Sequence, residues 1–351
     1  MTTLFAAFRD RLLVCTADGD SGRSEDVTWR TVERLEGHSV ESVAVSSEEP
    51  DRIFVGTFGD GLYQSTDRGE SFDRLETEFV DKGIDADDDY EGEAVTALAI
   101  SPHDPATVYA GMEPSRLYCS TDAGDTWTEL GGLIDLSSAD EWYFPPRPHT
   151  HHVRWIEVDP VDSDRLYVGI EAGAFVLSPD GGETWKERPP GSRRDNHTLA
   201  THSDRRGRIY AAAGDGFAVS DDGGESWEAP RDGLEHTYCW GLAVDPGDPD
   251  RVLLSSASGA RTAHWPDRAE SYVYRREGDS PWTRLDGRVL PMGDGVVRSV
   301  FVTGEVPESV YAVNNRGVFY STDFGDSWDR LEVGWNEEFE TMTPRGCAVI
   351  D

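Results

Sequence analysis

Apolar and polar positions alternate with a period of two along most of this chain, in short runs broken by Gly, Pro and Asp. That pattern predicts strands, not helices. One run, Ala94-Val-Thr-Ala-Leu-Ala-Ile100, passes through Ser-Pro-His-Asp-Pro to Val108-Tyr-Ala-Gly and then to Arg116-Leu-Tyr-Cys-Ser. The same order of three strands recurs, with first strands predicted at 40–45, 95–100, 153–158, 196–201, 238–244, 296–302 and 346–350. Nothing strand-like follows the last of these. Leu4-Phe-Ala-Ala and Arg11-Leu-Leu-Val-Cys15, at the other end, read as second and third strands lacking a first. The C-terminal strand is therefore expected to pair with the N-terminal strands, which removes two exposed sheet edges.

Between the units sits a repeated segment. Ser65-Thr-Asp67-Arg-Gly69-Glu-Ser-Phe72 returns as Ser120 to Trp127, Ser178 to Trp185, Ser220 to Trp227 and Ser321 to Trp328, in the form Ser-x-Asp-x-Gly-x-Ser/Thr-aromatic. Its chemistry is that of a turn: Asp accepts backbone N–H bonds, Gly takes a positive φ, and the aromatic plugs the core. The Asp is thus a structural residue. Tyr274 to Trp282 and the stretch from Cys15 through Gly19 to Trp29 keep the spacing without the signature. The plugs Trp29, Phe72, Trp127, Trp185, Trp227, Trp282 and Trp328 lie about 42 to 58 residues apart, close to the ~40–50 residues of a four-stranded propeller blade. The expected fold is all-β: one seven-bladed β-propeller domain over residues 1–351, its four-stranded antiparallel blades closed into a ring by the C-terminal strand.

These segments resemble the boxes of the BNR/Asp-box propeller superfamily, which includes sialidases, sortilin-type receptors, xyloglucanases and photosystem assembly factors. The resemblance implies architecture and says little of chemistry, because the superfamily mixes hydrolases with binding proteins. A sialidase is excluded: that group is six-bladed and carries an Arg-Ile-Pro motif that this chain lacks. The chain is more similar to uncharacterised proteins labelled as glycosyl hydrolases with BNR repeats.

Composition narrows the partners. Asp and Glu total 68 against 32 Lys and Arg, a formal charge of -36 spread along the chain, which argues against nucleic acid or an anionic membrane as partner. Only Lys82 and Lys186 are lysines, a balance that suggests a high-salt proteome. The bland reading of the acid is solubility. No signal peptide or membrane span is read at the N-terminus, so the expected location is cytoplasmic and the expected state a monomer. Cys15, Cys119, Cys239 and Cys347 lie too far apart for a CxxC site and read as small buried residues. The acidic stretch from Asp81 to Glu93 lacks the Gly-punctuated spacing of a calcium loop and reads as a solvated insertion.

In a propeller the loops leading into first strands and those between second and third strands share one face around the channel mouth. On that face Tyr143-Phe-Pro-Pro-Arg147-Pro-His149-Thr-His151-His152-Val-Arg154 brings three His within four residues, and the next two units add His197 and His236. Glu171 and Asp215 supply carboxylates, and Asn314 and Arg316 come from across the ring. Glu41, Thr96, Arg154, His197, Trp240 and Arg298 fall at one register of the first strands. The insertion from Arg261 to Glu270 lies on the same side, with His264 reaching inward as part of a lid. His103 and His202 fall in turns on the far face and read as solvated.

Imidazole and carboxylate converging from separate loops suit a divalent metal or acid/base chemistry, and Arg clamps an anion. The candidate catalytic residues are His151, His152, His197, His236, Glu171 and Asp215. Candidate ligand-binding residues are Arg154, Arg298, Trp240, Tyr238, Asn314 and Arg316. A divalent metal, with His151, His197 and His236 as ligands, is the candidate cofactor. Two functions compete: a hydrolase or lyase acting on a small polar or anionic ligand, and a non-catalytic scaffold binding protein or glycan with structural histidines. A glycosidase would need two carboxylates on the mouth face, for which Glu171 and Asp215 are the candidates.

Overall fold

The computed structural model describes residues 1–18, 27–77, 79 and 93–351, with Gly19 and nearly all of the Asp81–Glu93 stretch outside the described residues. Nearly all of the regular structure is strand, in antiparallel meanders. One four-stranded sheet joins the chain ends: Gly346–Ile350 pairs with Thr3–Phe8, from Ile350 opposite Thr3 to Gly346 opposite Ala7. Arg11–Asp18 and Thr28–Arg34 complete that sheet. Two further meanders are fused into one eight-stranded sheet where Phe58 and Gly59 meet Ala94 and Glu93.

Inner strands lie where the alternating pattern predicts them, at Val40–Val45, Glu93–Ile100, Val153–Val158, Asn196–Thr201, Tyr238–Asp245 and Gly346–Ile350. The strand predicted over 296–302 is shorter, Val300–Val302. There the backbone of 297–299 bonds side chains and the neighbouring insertion instead: Val297 N–H donates to Asn315 Oδ1, Arg298 N–H to the Ala263 carbonyl and Ser299 N–H to Ser255 Oγ. Together the inner strands line a central cavity of about 450 Å³.

Apolar packing runs between neighbouring meanders, and the repeated segments pin each meander to the next. In the second copy Gly124 N–H donates to Ser120 Oγ at 2.8 Å, and Asp122 accepts from Thr126 N–H at 2.8 Å and Thr126 Oγ1 at 2.6 Å. The copies at Asp67, Asp180, Asp222 and Asp323 repeat this network. Gly124 has φ +93°, and a Cβ there would come within 2.8 Å of the Phe54 ring in the preceding meander. Glycine is needed twice over: for the left-handed backbone and for the close approach. Trp227, Trp282 and Trp328 are buried as plugs, and Trp227 stands edge-on to Phe175.

His103 and His202 are not simply solvated. His103 Nε2 lies 2.8 Å from the Asp159 carbonyl and His202 Nε2 lies 3.0 Å from the Asp245 carbonyl, so each ties its turn to the next meander. His202 is buried. The four cysteines are free thiols. Among the described residues no helix is long and apolar enough to cross a membrane.

Candidate functional site

At one end of the cavity the ladder register breaks at the same place in five inner strands: between Val40 and Ser42, Val95 and Ala97, Val153 and Trp155, Asn196 and Thr198, and Cys239 and Leu242. The skipped residues are Glu41, Thr96, Arg154, His197, and Trp240 with Gly241. A bulge leaves its extra residue outside the pairing and re-aims the side chain. This is why polar and aromatic groups occupy positions that an unbroken ladder fills with small apolar ones. Thr96 Oγ1 uses its freedom to donate to the Val153 carbonyl at 2.7 Å, and Thr198 Oγ1 donates to the Trp240 carbonyl at 2.8 Å.

Glu171 is the centre of the site. It follows the strand Leu166–Ile170, is buried, and lies 3.1 Å from His152 Nε2 and 3.8 Å from Arg154 Nε. Burial alone would raise its pKa, but the His152 hydrogen bond and the charges of His152, His197 and Arg154 outweigh it and hold the carboxyl at about 2. His152 is itself set by Glu113, 3.5 Å from Nδ1, by the edge of Phe144, and by Arg147, which grips Glu113 through two bonds of 2.9 and 2.6 Å.

Asp195 comes from the loop leading into the next inner strand. Its Oδ1 accepts from the Ala172 N–H at 2.8 Å and lies 3.7 Å from His197 Nε2. Burial, and then the Glu171 charge against the pull of His197, raises its pKa. His197 is fully buried, stacks on Trp240 at 3.9 Å, and donates from Nδ1 to the Cys239 carbonyl at 2.7 Å. A carbonyl only accepts, so Nδ1 carries the hydrogen and Nε2 presents its lone pair when the ring is neutral. Burial favours that neutral ring. One oxygen each of Glu171 and Asp195 and one ring nitrogen of His197 lie within 4.8 Å of one another.

Beside this trio stands a cationic wall. Arg298, fully buried, lies over the Trp240 ring at 4.1 Å and donates from Nε to His264 Nδ1 at 3.2 Å. Arg154 lies over the same Trp240 at 5.0 Å and donates to the Arg345 carbonyl at 3.1 Å. Arg345 pairs with Glu41 at 3.5 Å. Tyr238 Oη sits between His197 Nε2, at 3.4 Å, and His264 Nε2, at 3.3 Å. His264 closes the short helix α1 (Ala260–His264), and its carbonyl accepts from Thr343 Oγ1 at 2.6 Å. The insertion is therefore tied over the site, with His264 turned inward.

The expected residues divide between site and scaffold. His152, Glu171, Arg154, His197, Trp240, Tyr238 and Arg298 come together. His236 does not: its Nδ1 meets Tyr274 Oη at 2.6 Å and its ring stacks on Tyr272 at 4.4 Å. His151 packs edge-on to Trp142, and burial lowers its pKa to about 4. The metal set of His151, His197 and His236 is thus replaced, among the described residues, by Glu171, Asp195 and His197. Asp215 is partly exposed and instead accepts from the backbone of Arg194 and Asp195, which shapes the loop that delivers Asp195. Asn314 and Arg316 brace the far loop through Ser299, Gly295 and Glu340. Asp195, two positions before His197, was the carboxylate to find: an acid beside a bulged His on the same loop is the signal in the sequence.

Inner strands around a central cavity and meanders running outward define a β-propeller. No family model matches the chain. Xyloglucanase Xgh74A of Acetivibrio thermocellus is 25% identical over 293 residues, 71% of this chain and 32% of its own, so this chain spans about a third of that relative's length. Among solved structures, the GH74 xyloglucanase from Xanthomonas campestris superposes with a TM-score of 0.63 at 16% identity, covering 92% of this chain and 54% of its own. YCF48 from Cyanidioschyzon merolae gives a TM-score of 0.58 at 11% identity, covering 89% and 94%. These structures share the fold. They support a propeller superfamily, while the BNR/Asp-box resemblance rests on the repeated segments alone.

Proposed function

We propose that this protein is a glycoside hydrolase built on one seven-bladed ring, the eight-stranded sheet counting as two blades, with Glu171 and Asp195 as its carboxylate pair. The observation that carries the reading is the pairing itself. Two carboxylates whose oxygens lie within 4.8 Å have been pushed apart in acidity, Glu171 down to about 2 and Asp195 up. The xyloglucanase relatives support the same class.

Oxygens within 4.8 Å put the pair nearer the close spacing of retaining glycosidases, roughly 5–5.5 Å, than the roughly 6.5–9.5 Å of inverting ones. Glu171, ionised, attacks the anomeric carbon while Asp195 gives its proton to the departing glycosidic oxygen. Water then delivers its oxygen to that carbon, returns a proton to Asp195 and releases Glu171. Tyr238, half-buried beside the pair, supplies aromatic surface for a sugar ring.

Reducing-end release from xyloglucan and a panel of soluble glycans tests this on wild type, Glu171→Gln and Asp195→Asn. Cleavage by wild type that both variants lose supports the pair. An inactive wild type across the panel moves the reading to a glycan- or protein-binding scaffold.

A divalent metal on Glu171, Asp195 and His197 is the second reading, favoured by His197 Nε2 keeping its lone pair on the side of Asp195. The His152 hydrogen bond and the Arg154 charge already hold Glu171, which favours the acid/base reading over it. Metal analysis of wild type against His197→Ala separates the two.

A further inference from the structure

Among the described residues, Arg298 is the guanidinium whose two terminal nitrogens are both buried without a hydrogen-bond partner. Its neighbours make this costly. Burial first, and then the like charges of Arg154 and Arg345, drives the Arg298 pKa well below its ordinary value. Those two arginines have partners of their own: Arg154 has Glu171 and the Arg345 carbonyl, and Arg345 has Glu41. Among the described residues, the Arg298 side chain has the His264 imidazole, which takes its Nε–H, and the Trp240 face. Two parallel N–H bonds therefore go unused in a low-dielectric pocket, where a charge-assisted pair is strongest and an unpaired charge most unfavourable.

We propose that Arg298 anchors the carboxylate of an acidic sugar, so that the site takes a uronate-bearing glycan. The fork geometry of the free edge matches a carboxylate's two oxygens. Contacts of 3.2, 3.3, 3.4 and 3.7 Å run from Arg298 through His264, Tyr238 and His197 to Asp195, so the anchor adjoins the Glu171–Asp195 pair. The Arg298–His264 bond uses Nε and leaves the edge of the fork free, so it holds the guanidinium in place for the ligand. The substrate class rests on the glycosidase reading, but binding is measurable without cleavage.

Titration calorimetry with D-glucuronate, D-glucose and acetate on wild type, Glu171→Gln, Arg298→Met and Arg298→Lys provides the test. Glucuronate is expected to bind wild type and Glu171→Gln at least tenfold more tightly than glucose or acetate. Arg298→Met should fall to the glucose level, and Arg298→Lys, which lacks the fork, should lie between. Met fills similar volume and removes a buried charge, so a melting temperature at or above wild type is expected without ligand. Equal binding of glucuronate and glucose, or of glucuronate and acetate, overturns the proposal, as does unchanged binding by Arg298→Met. Should Arg298→Met fail to fold, Arg298→Lys decides on the same criterion. Tight glucuronate binding with no cleavage of any glycan would sink the hydrolase reading and leave the anchor standing.

Discussion

Ala172, the residue after Glu171, donates its backbone N–H to Asp195 Oδ1 at 2.8 Å, which locks a loop of one meander to the loop leading into the next. The bond spends one Asp195 oxygen on the scaffold and fixes how far that carboxyl stands from Glu171. Separation and acidity in this pair are therefore consequences of how two neighbouring meanders dock.

The pair makes a pH prediction. Glu171, held at about 2, stays ionised throughout the working range, so no acid limb is expected above roughly pH 3. Asp195 must keep its proton, so kcat/KM falls as pH rises through its elevated pKa. Asp195→Asn should lower cleavage of ordinary glycosides by about 10²–10⁴-fold. It should spare kcat/KM for aryl glycosides whose leaving group needs no proton, because that ratio reads the first step alone, while kcat falls for want of the base in the second. Steady-state kcat/KM on both substrate types checks this, and equal losses of kcat/KM on the two would remove Asp195 from the acid role.

Glu157 gives a second pH effect, separate from activity. It lines the cavity, bonded to Thr201 and Trp155, and burial raises its pKa to about 7 from an ordinary 4.5. Between those values the folded chain holds a proton that the unfolded chain has lost. Stability from this group is therefore present at low pH and lost as pH rises toward 7. Melting temperatures of wild type and Glu157→Gln should diverge between pH 5 and 8, with the variant gaining on wild type as pH rises.

The repeated segment should matter to stability and not to chemistry. Ser120→Ala removes the oxygen that accepts the buried Gly124 N–H and strands that donor. The cost is about 1–3 kcal/mol. Denaturant unfolding is expected to show it with kcat/KM unchanged; a loss of activity in the folded variant would give the segment a role beyond the scaffold.

Ring closure depends on five residues. A chain ending at Arg345 loses the strand Gly346–Ile350, turns the fully buried strand Thr3–Phe8 into an open edge, and removes part of the cavity wall. Loss of a cooperative melt and concentration-dependent aggregation are expected by calorimetry and light scattering. Normal melting would mean that the terminal pairing adds little.

Alternation of apolar residues, the recurring Ser-x-Asp-x-Gly turn and the unpaired strands at the two ends made the all-β plan and the terminal pairing legible in the sequence. They are local: each depends on a few residues whose chemistry demands a strand, a turn or an edge partner. The register of Glu41, Thr96, Arg154, His197 and Trp240 was legible too, because a bulge at one place in successive strands leaves the same gap in each pattern. What the residues became was decided by packing. His236 looks like His197 on paper, yet one stacks on Tyr272 and the other on Trp240 beside two carboxylates. Asp215 and Asp195 are both acids near the mouth, and only the docking of neighbouring loops turns Asp195 toward Glu171. Local sequence sets the backbone path, but a charged side chain takes its acidity and partners from residues tens or hundreds of positions away, brought beside it only in the folded chain.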